Sequence, residues 1–213
     1  MNERRIEVIR QVVKFRQQDL VMVLENVDDD HNIGAVMRTC DAVGIQELVI
    51  LNSRPDTRKK FIKVGKRTSA GTRKYLQLSY FTDIKLCVEY LKAKNLFLLG
   101  TGWDKESVSM HAYDFTQATA LIVGNEKFGL SPELINNLDG LVTVPQYGTA
   151  QSLNVSVATA ILLYESLNQR QRAGLFPPKW NEWHERLLEK YMERAKTKPD
   201  PTSTYKIFRP EIE

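Results

Sequence analysis

Apolar and polar positions alternate along this chain in blocks that predict alternating helices and strands. Between Glu3 and Gln17, Ile6, Ile9, Val12 and Val13 share one helical face, with Arg and Gln elsewhere. Leu20–Leu24 is a short unbroken apolar run, which predicts a buried strand. Asn32 is a candidate cap for a helix over residues 33–42 that stops at Gly44. Further strands are predicted at 47–51, near 75–78, at 96–99, at 119–123 and at 141–144, where Pro145 ends the run. Between them, Ile84, Val88 and Leu91 recur at helical spacing over 83–93. Ser131–Pro132–Glu133 reads as a helix start, with Ser as cap, Pro in the first turn and an acid at the positive dipole end. The last core helix is predicted over 155–170.

Strands alternating with helices predict an α/β fold with a mainly parallel sheet flanked by helices. Both sheet faces are expected to be covered, because the strands are continuous apolar runs rather than alternating ones. Past Gly174 the character changes. Pro177–Pro178 interrupts the chain, and residues 180–191 form a charged amphipathic pattern with Trp180, Trp183, Leu187 and Tyr191 in one stripe. Pro199 and Pro201 exclude a regular helix near the end. The expected organisation is an N-terminal helix (1–17), a core (18–176) and a helical and irregular extension (177–213).

A length of 213 residues suits one domain with appendages, and 42% hydrophobic content suits a packed core. No apolar run approaches a membrane span, and the charged start Met1–Asn2–Glu3–Arg4–Arg5 lacks a signal pattern, so a cytoplasmic protein without membrane contact is expected. Cys40 and Cys87 stand in no CxxC and near no His pair, which disfavours a disulfide or a zinc site. His111 and His184 have no matched ligand partners, so packing or surface roles are expected and no metal.

The net charge is only +4, but it is unevenly spread. Residues 54–74 contain nine basic side chains (Arg54, Arg58, Lys59, Lys60, Lys63, Lys66, Arg67, Arg73, Lys74) against Asp56 alone. Such a run is either a solvated loop or a polyanion-binding patch, and charge by itself does not choose.

Ligands of open α/β sheets bind beyond the carboxyl ends of the strands. Three polar clusters follow predicted strands: His31–Asn32–Ile33–Gly34 with Arg38 beyond it, Gly124–Asn125–Glu126–Lys127–Phe128–Gly129, and Gln151–Ser152–Leu153–Asn154. Singly each has an ordinary explanation. Asn32 and Ser152 suit helix caps, and Glu126 suits a solvated loop acid. The stretch "LLGTGWD" (98–104) contains only G-x-G and precedes no helical stripe, so it lacks a dinucleotide fingerprint.

Together and in this order, "HNIGAVMRTCDAVG" (31–44), "LIVGNEKFGLS" (121–131) and "VPQYGTAQSLNVSVATAILLYE" (144–165) resemble the three signature motifs of the SpoU–TrmH family of RNA ribose 2′-O-methyltransferases, within the SPOUT superfamily. The resemblance covers roughly residues 20–176. The short leading helix and "NQRQRAGLF" after the last motif resemble the branch that methylates guanosine-18 of tRNA. Ribosomal RNA or a tRNA wobble nucleotide is the alternative substrate. Outside that chemistry stand a non-catalytic RNA-binding protein and a small-molecule nucleotide enzyme.

The resemblance implies a C-terminal trefoil knot, a homodimer and the cofactor S-adenosylmethionine. It places Thr101, Gly124 and the main chain of Val144 and Leu153 at the cofactor. Arg38 is the implied catalytic arginine. Asn32 would orient Arg38 or the ribose, and Glu126, Ser152 and Asn154 would position substrate or hold the arginine and loops. Because an arginine is always protonated, Arg38 is expected to stabilise alkoxide character while the proton leaves through a phosphate or water. Lys63, Lys66 and Arg67, in the densest basic stretch, are candidate tRNA phosphate contacts. Arg170 and Arg172 are either RNA contacts or cations favoured at a helix carboxyl end.

Overall fold

The computed structural model describes residues 3–57, 75–150 and 152–196. In chain order these form α1 (Glu3–Lys14), β1 (Gln17–Glu25), α2 (Asp30–Ala42), β2 (Ile45–Leu51), β3 (Gln77–Phe81), α3 (Ile84–Lys92), β4 (Phe97–Thr101), β5 (Val108–Ser109), β6 (Thr119–Val123), α4 (Pro132–Ile135), β7 (Gly140–Thr143), α5 (Val155–Arg172) and α6 (Glu182–Lys196). Among the described residues, the strands make a seven-stranded sheet in the order β3-β2-β1-β6-β4-β7-β5. Every pairing is parallel, so all carboxyl ends share one edge.

Both faces are buried, for the reason the unbroken apolar runs imply. Successive strand residues point to opposite faces. Leu20, Met22 and Leu24 of β1 pack with Ile33, Val36 and Met37 of α2 and Leu162 and Leu163 of α5. Val21 and Val23 pack with Ile84, Val88 and Leu91 of α3 and Leu134 of α4. A smaller third cluster joins the two ends of the described chain: Ile9 and Val13 of α1 meet Leu187, Leu188 and Tyr191 of α6. The Tyr191 hydroxyl donates to Gln46 Oε1 at 2.5 Å and also bonds the Tyr75 carbonyl. His184, 1% exposed, lies against Trp180 and Trp183.

Gly44 closes α2 at φ +82°, and a Cβ there would stand 2.0 Å from the Phe15 carbonyl oxygen. Only glycine permits both the turn and that approach. Among the described residues, no helix is long and apolar enough to cross a membrane.

Candidate active site at the strand ends

Asp29, not Asn32, caps α2. Its Oδ1 accepts the His31 N–H at 2.7 Å, and the helix begins at Asp30. The carboxylate outcompetes an amide at a positive helix end, which corrects the sequence expectation. Asn32 therefore sits in the first turn with its side chain free of the cap. Its Nδ2 donates to Glu126 Oε1 at 2.5 Å, and its Oδ1 accepts Asn154 Nδ2 at 3.2 Å. Asn154 is in turn the cap of α5, its Oδ1 accepting Ser156 N–H at 2.8 Å and the Ser156 hydroxyl at 2.6 Å. So Ser152 is not the cap either; it lies exposed two residues before it. One hydrogen-bond chain thus joins all three polar clusters.

The loop after β6 is built to hold Glu126 at its apex. Asn125 and Gly129 exchange backbone hydrogen bonds at 3.1 and 2.8 Å. Asn125 Oδ1 accepts the N–H groups of Lys127 and Phe128 at 2.9 and 3.2 Å, an Asx-type turn. Gly129 has φ +67°, and a Cβ on Gly124 would lie 2.3 Å from the Gly129 carbonyl carbon. Gly124 is therefore required for loop closure, whatever else it touches.

Two residues that sequence reading passed over anchor this loop. Glu25, fully buried at the end of β1, accepts the Ser131 N–H at 2.8 Å and the Ser131 hydroxyl. Burial pushes its carboxyl above the usual carboxylate range, while the two Ser131 donors oppose the shift. Asn26, at φ +54°, accepts Asn125 Nδ2 on its carbonyl at 2.9 Å. Its Oδ1 accepts the Arg54 N–H at 3.1 Å and the Thr57 hydroxyl at 2.9 Å. The loops after β2 and β6 are pinned to the same strand end. The only sequence signal was two polar residues closing an apolar run.

Thr101 ends β4 half-buried, and Val144 and Leu153 are half-buried on the segment between β7 and α5. Among the described residues, the main chain from Val144 to Leu153 makes no backbone hydrogen bond to another backbone group. Arg38 is exposed on α2, six residues past Asn32 and so about 120° around the helix from it. The hydrogen-bonded trio and Arg38 thus occupy different faces of α2.

Lys63, Lys66 and Arg67 lie outside the described residues. Arg172 is exposed near the end of α5. Arg170 is not: it is 2% exposed. Its Nε donates to the Phe115 carbonyl at 2.9 Å, Nη1 to Gln17 Oε1 and Asp19 Oδ1 at 3.0 and 2.8 Å, and Nη2 to the Gln117 carbonyl at 3.0 Å. The expected RNA role for Arg170 is corrected, since helical spacing puts it on the buried stripe with Leu163 and Ser166.

Known proteins similar to this chain share its fold and sequence over most of its length. Residues 19–164 match the model of the SpoU rRNA Methylase family. A tRNA (guanosine(18)-2′-O)-methyltransferase of Aquifex aeolicus is 36% identical over 192 residues, 89% of each chain. The crystal structure of an A. aeolicus TrmH/SpoU tRNA modifying enzyme superposes with a TM-score of 0.81 at 35% identity, covering 92% of this chain and 98% of that one. The SpoU methyltransferase AviRb from Streptomyces viridochromogenes, in complex with AdoMet, superposes at 0.64 with 27% identity, covering 73% of this chain and 59% of that one.

Proposed function

The chain belongs to the SpoU rRNA Methylase family, and from that premise we propose that it methylates the 2′-oxygen of guanosine-18 in tRNA. The observation that carries the reading is the chain Glu126–Asn32–Asn154, which gathers three distant motifs at the carboxyl edge of a parallel sheet. S-adenosylmethionine, when bound, would supply a methyl group made electrophilic by the positive sulfonium sulfur that carries it. The residues present fit it: the Val144 and Leu153 main chain, which bonds no other backbone group among the described residues, would hold an adenine edge, and Thr101 ends β4, which pairs with β7 just before Val144; Gly124 would lie at the cofactor as well.

Arg38 stabilises the alkoxide character that develops on the ribose oxygen; as a permanent cation it does not take the proton, which leaves to a phosphate or water. Asn32, Glu126 and Asn154 hold the loops in register and position the ribose, with Ser152 at the mouth of the same cleft. Preorganised donors of this kind cost no rearrangement during reaction. Arg172 and the basic run containing Lys63, Lys66 and Arg67 hold tRNA phosphates.

We further read the assembly as a homodimer. Val157 and Tyr164 of α5 are 47% and 54% exposed, and Ile161 between them is half-buried. The three share one face at spacings of four and three, an apolar stripe that a second copy would cover. Arg38, about 120° around α2 from Asn32, then serves a site completed across the subunit boundary. A trefoil knot in the C-terminal part, formed by the segment beyond β7, completes this reading. It is supported by the strand order, in which consecutive β6 and β7 flank β4.

The test is incubation of the protein with unmodified tRNA transcripts and labelled methyl donor, followed by mapping of 2′-O-methyl sites. Label at guanosine-18 is expected. Label confined to the wobble nucleotide, or appearing only when ribosomal RNA is supplied in place of tRNA, would refute the proposed substrate while keeping the chemistry.

A further inference from the structure

We infer that the Phe128 ring, with the Arg54 guanidinium over one face, offers its other face as a stacking platform for an unpaired base of the RNA, next to the ribose that reacts. This rests on the RNA reading above and adds a contact to it. Phe128 stands at the apex of the β6–α4 loop, two residues from Glu126, and is 61% exposed. A single exposed aromatic ring is ordinary; what marks this one is how it is held and which cations lie on it.

The ring is not loose. Asn125 Oδ1 fixes its N–H at 3.2 Å, and the Arg54 guanidinium carbon lies 4.7 Å from its centroid. Arg54 is itself oriented, its Nε and Nη2 bonded to the two Asp56 carboxylate oxygens. Asn26 holds both partners, taking Asn125 Nδ2 on its carbonyl and the Arg54 N–H on its side chain. Lys127 Nζ sits 5.1 Å from the same centroid. Its flexible stem lets an incoming phosphate draw it off the ring.

An exposed aromatic ring with two cations over it matches a π-faced base carrying a phosphate: the base stacks on the ring and the cations take the phosphate. Charge continues the match, because Arg54 opens the basic run of residues 54–74. Position does too. Trp103 and Tyr147, 76% and 98% exposed, lie in the loops after β4 and β7, and those strands follow β6 in the sheet order.

The experiment compares wild type with Phe128→Ala, Phe128→Leu and Phe128→Trp. It reads tRNA affinity, KM and kcat for methyl transfer, affinity for S-adenosylmethionine alone, and sedimentation. Removing one base–aromatic stack should weaken tRNA binding and raise KM by about 5- to 50-fold, with cofactor affinity and sedimentation unchanged. Phe128→Trp should stay within about twofold of wild type, and Phe128→Leu should fall with the alanine variant. A KM within twofold of wild type for Phe128→Ala overturns the platform, as does full function in Phe128→Leu. A shift of Phe128→Ala to a smaller species would assign the ring to contact between copies instead. Wild type that binds single-stranded RNA through Phe128 but methylates no tRNA would sink the proposed substrate and leave the platform standing.

Discussion

Asn32 and Glu126 lie 94 residues apart in the chain and share a 2.5 Å hydrogen bond. Because Asn32 also accepts from Asn154, removing the Glu126 carboxylate should disturb two loops and not one. Glu126→Ala is expected to lower kcat at least about tenfold, roughly 1.4 kcal/mol of transition-state stabilisation. Glu126→Gln, which keeps an acceptor for Asn32, should retain more. Single-turnover methyl transfer at saturating tRNA and cofactor measures both.

Arg38→Ala should abolish turnover to below about a tenth of wild type while the melting temperature stays put, because the side chain is exposed and away from the core. A melting temperature that collapses with activity would point to a structural role for the cation.

Arg170 and Arg172 should separate cleanly. Arg170→Ala strips four acceptors of a buried donor and is expected to cost about 2–4 kcal/mol of stability. Arg172→Ala should leave denaturant midpoints alone and weaken tRNA binding with a shallower salt dependence. Paired denaturation and binding titrations decide it.

Glu25→Ala removes both acceptors facing Ser131, so its N–H and its hydroxyl each lose a buried partner. A penalty of about 1–3 kcal/mol is expected. It should appear as faster hydrogen exchange in the 124–131 loop before it appears in global unfolding.

Burial lowers the His184 pKa below its ordinary 6.5, with the Arg16 carbonyl and Glu185 opposing the shift. Its Nε2 lies 3.2 Å from that carbonyl oxygen. Between the folded and unfolded pKa values the unfolded chain binds more protons, so stability rises with pH in that window. The contribution is complete above about pH 6.5 and drains as pH falls toward the folded value. Wild type should therefore lose more melting temperature between pH 7.5 and 5.5 than His184→Gln does.

Continuous apolar runs made most strands legible: residues 119–123 were expected and found as β6, because Gly124 ends the run where the loop must close. The third strand was expected near 75–78 and lies at Gln77–Phe81. Its interior Ser79 looks polar, but its hydroxyl donates to buried Glu47, a partner 32 residues away. Asn32 was read as a cap because local pattern cannot rank it against Asp29 three residues earlier. For Arg170 the sequence offers an RNA contact or a helix-end cation, because charge near a helix end hides its place on the buried stripe. The packing of α1 on α6 and the grip of Glu25 on Ser131 leave no local trace, since each depends on where distant chain returns.

The pairing of β1 with β6 has a consequence for how the molecule is made. Leu24 lies in register with Val123, across most of a hundred residues of chain. Closing so long a loop is slow, and until it happens β1 keeps an open edge of unpaired backbone groups along its apolar run at residues 20–24. A nascent chain that has not yet delivered residues 119–123 is therefore at its most aggregation-prone. When β6 zips in, Gly124 to Ser131 arrive beside Glu25 and Asn26 in the same event. Refolding from denaturant should recover catalytic competence with the slow, sheet-completing phase and not with earlier helix formation.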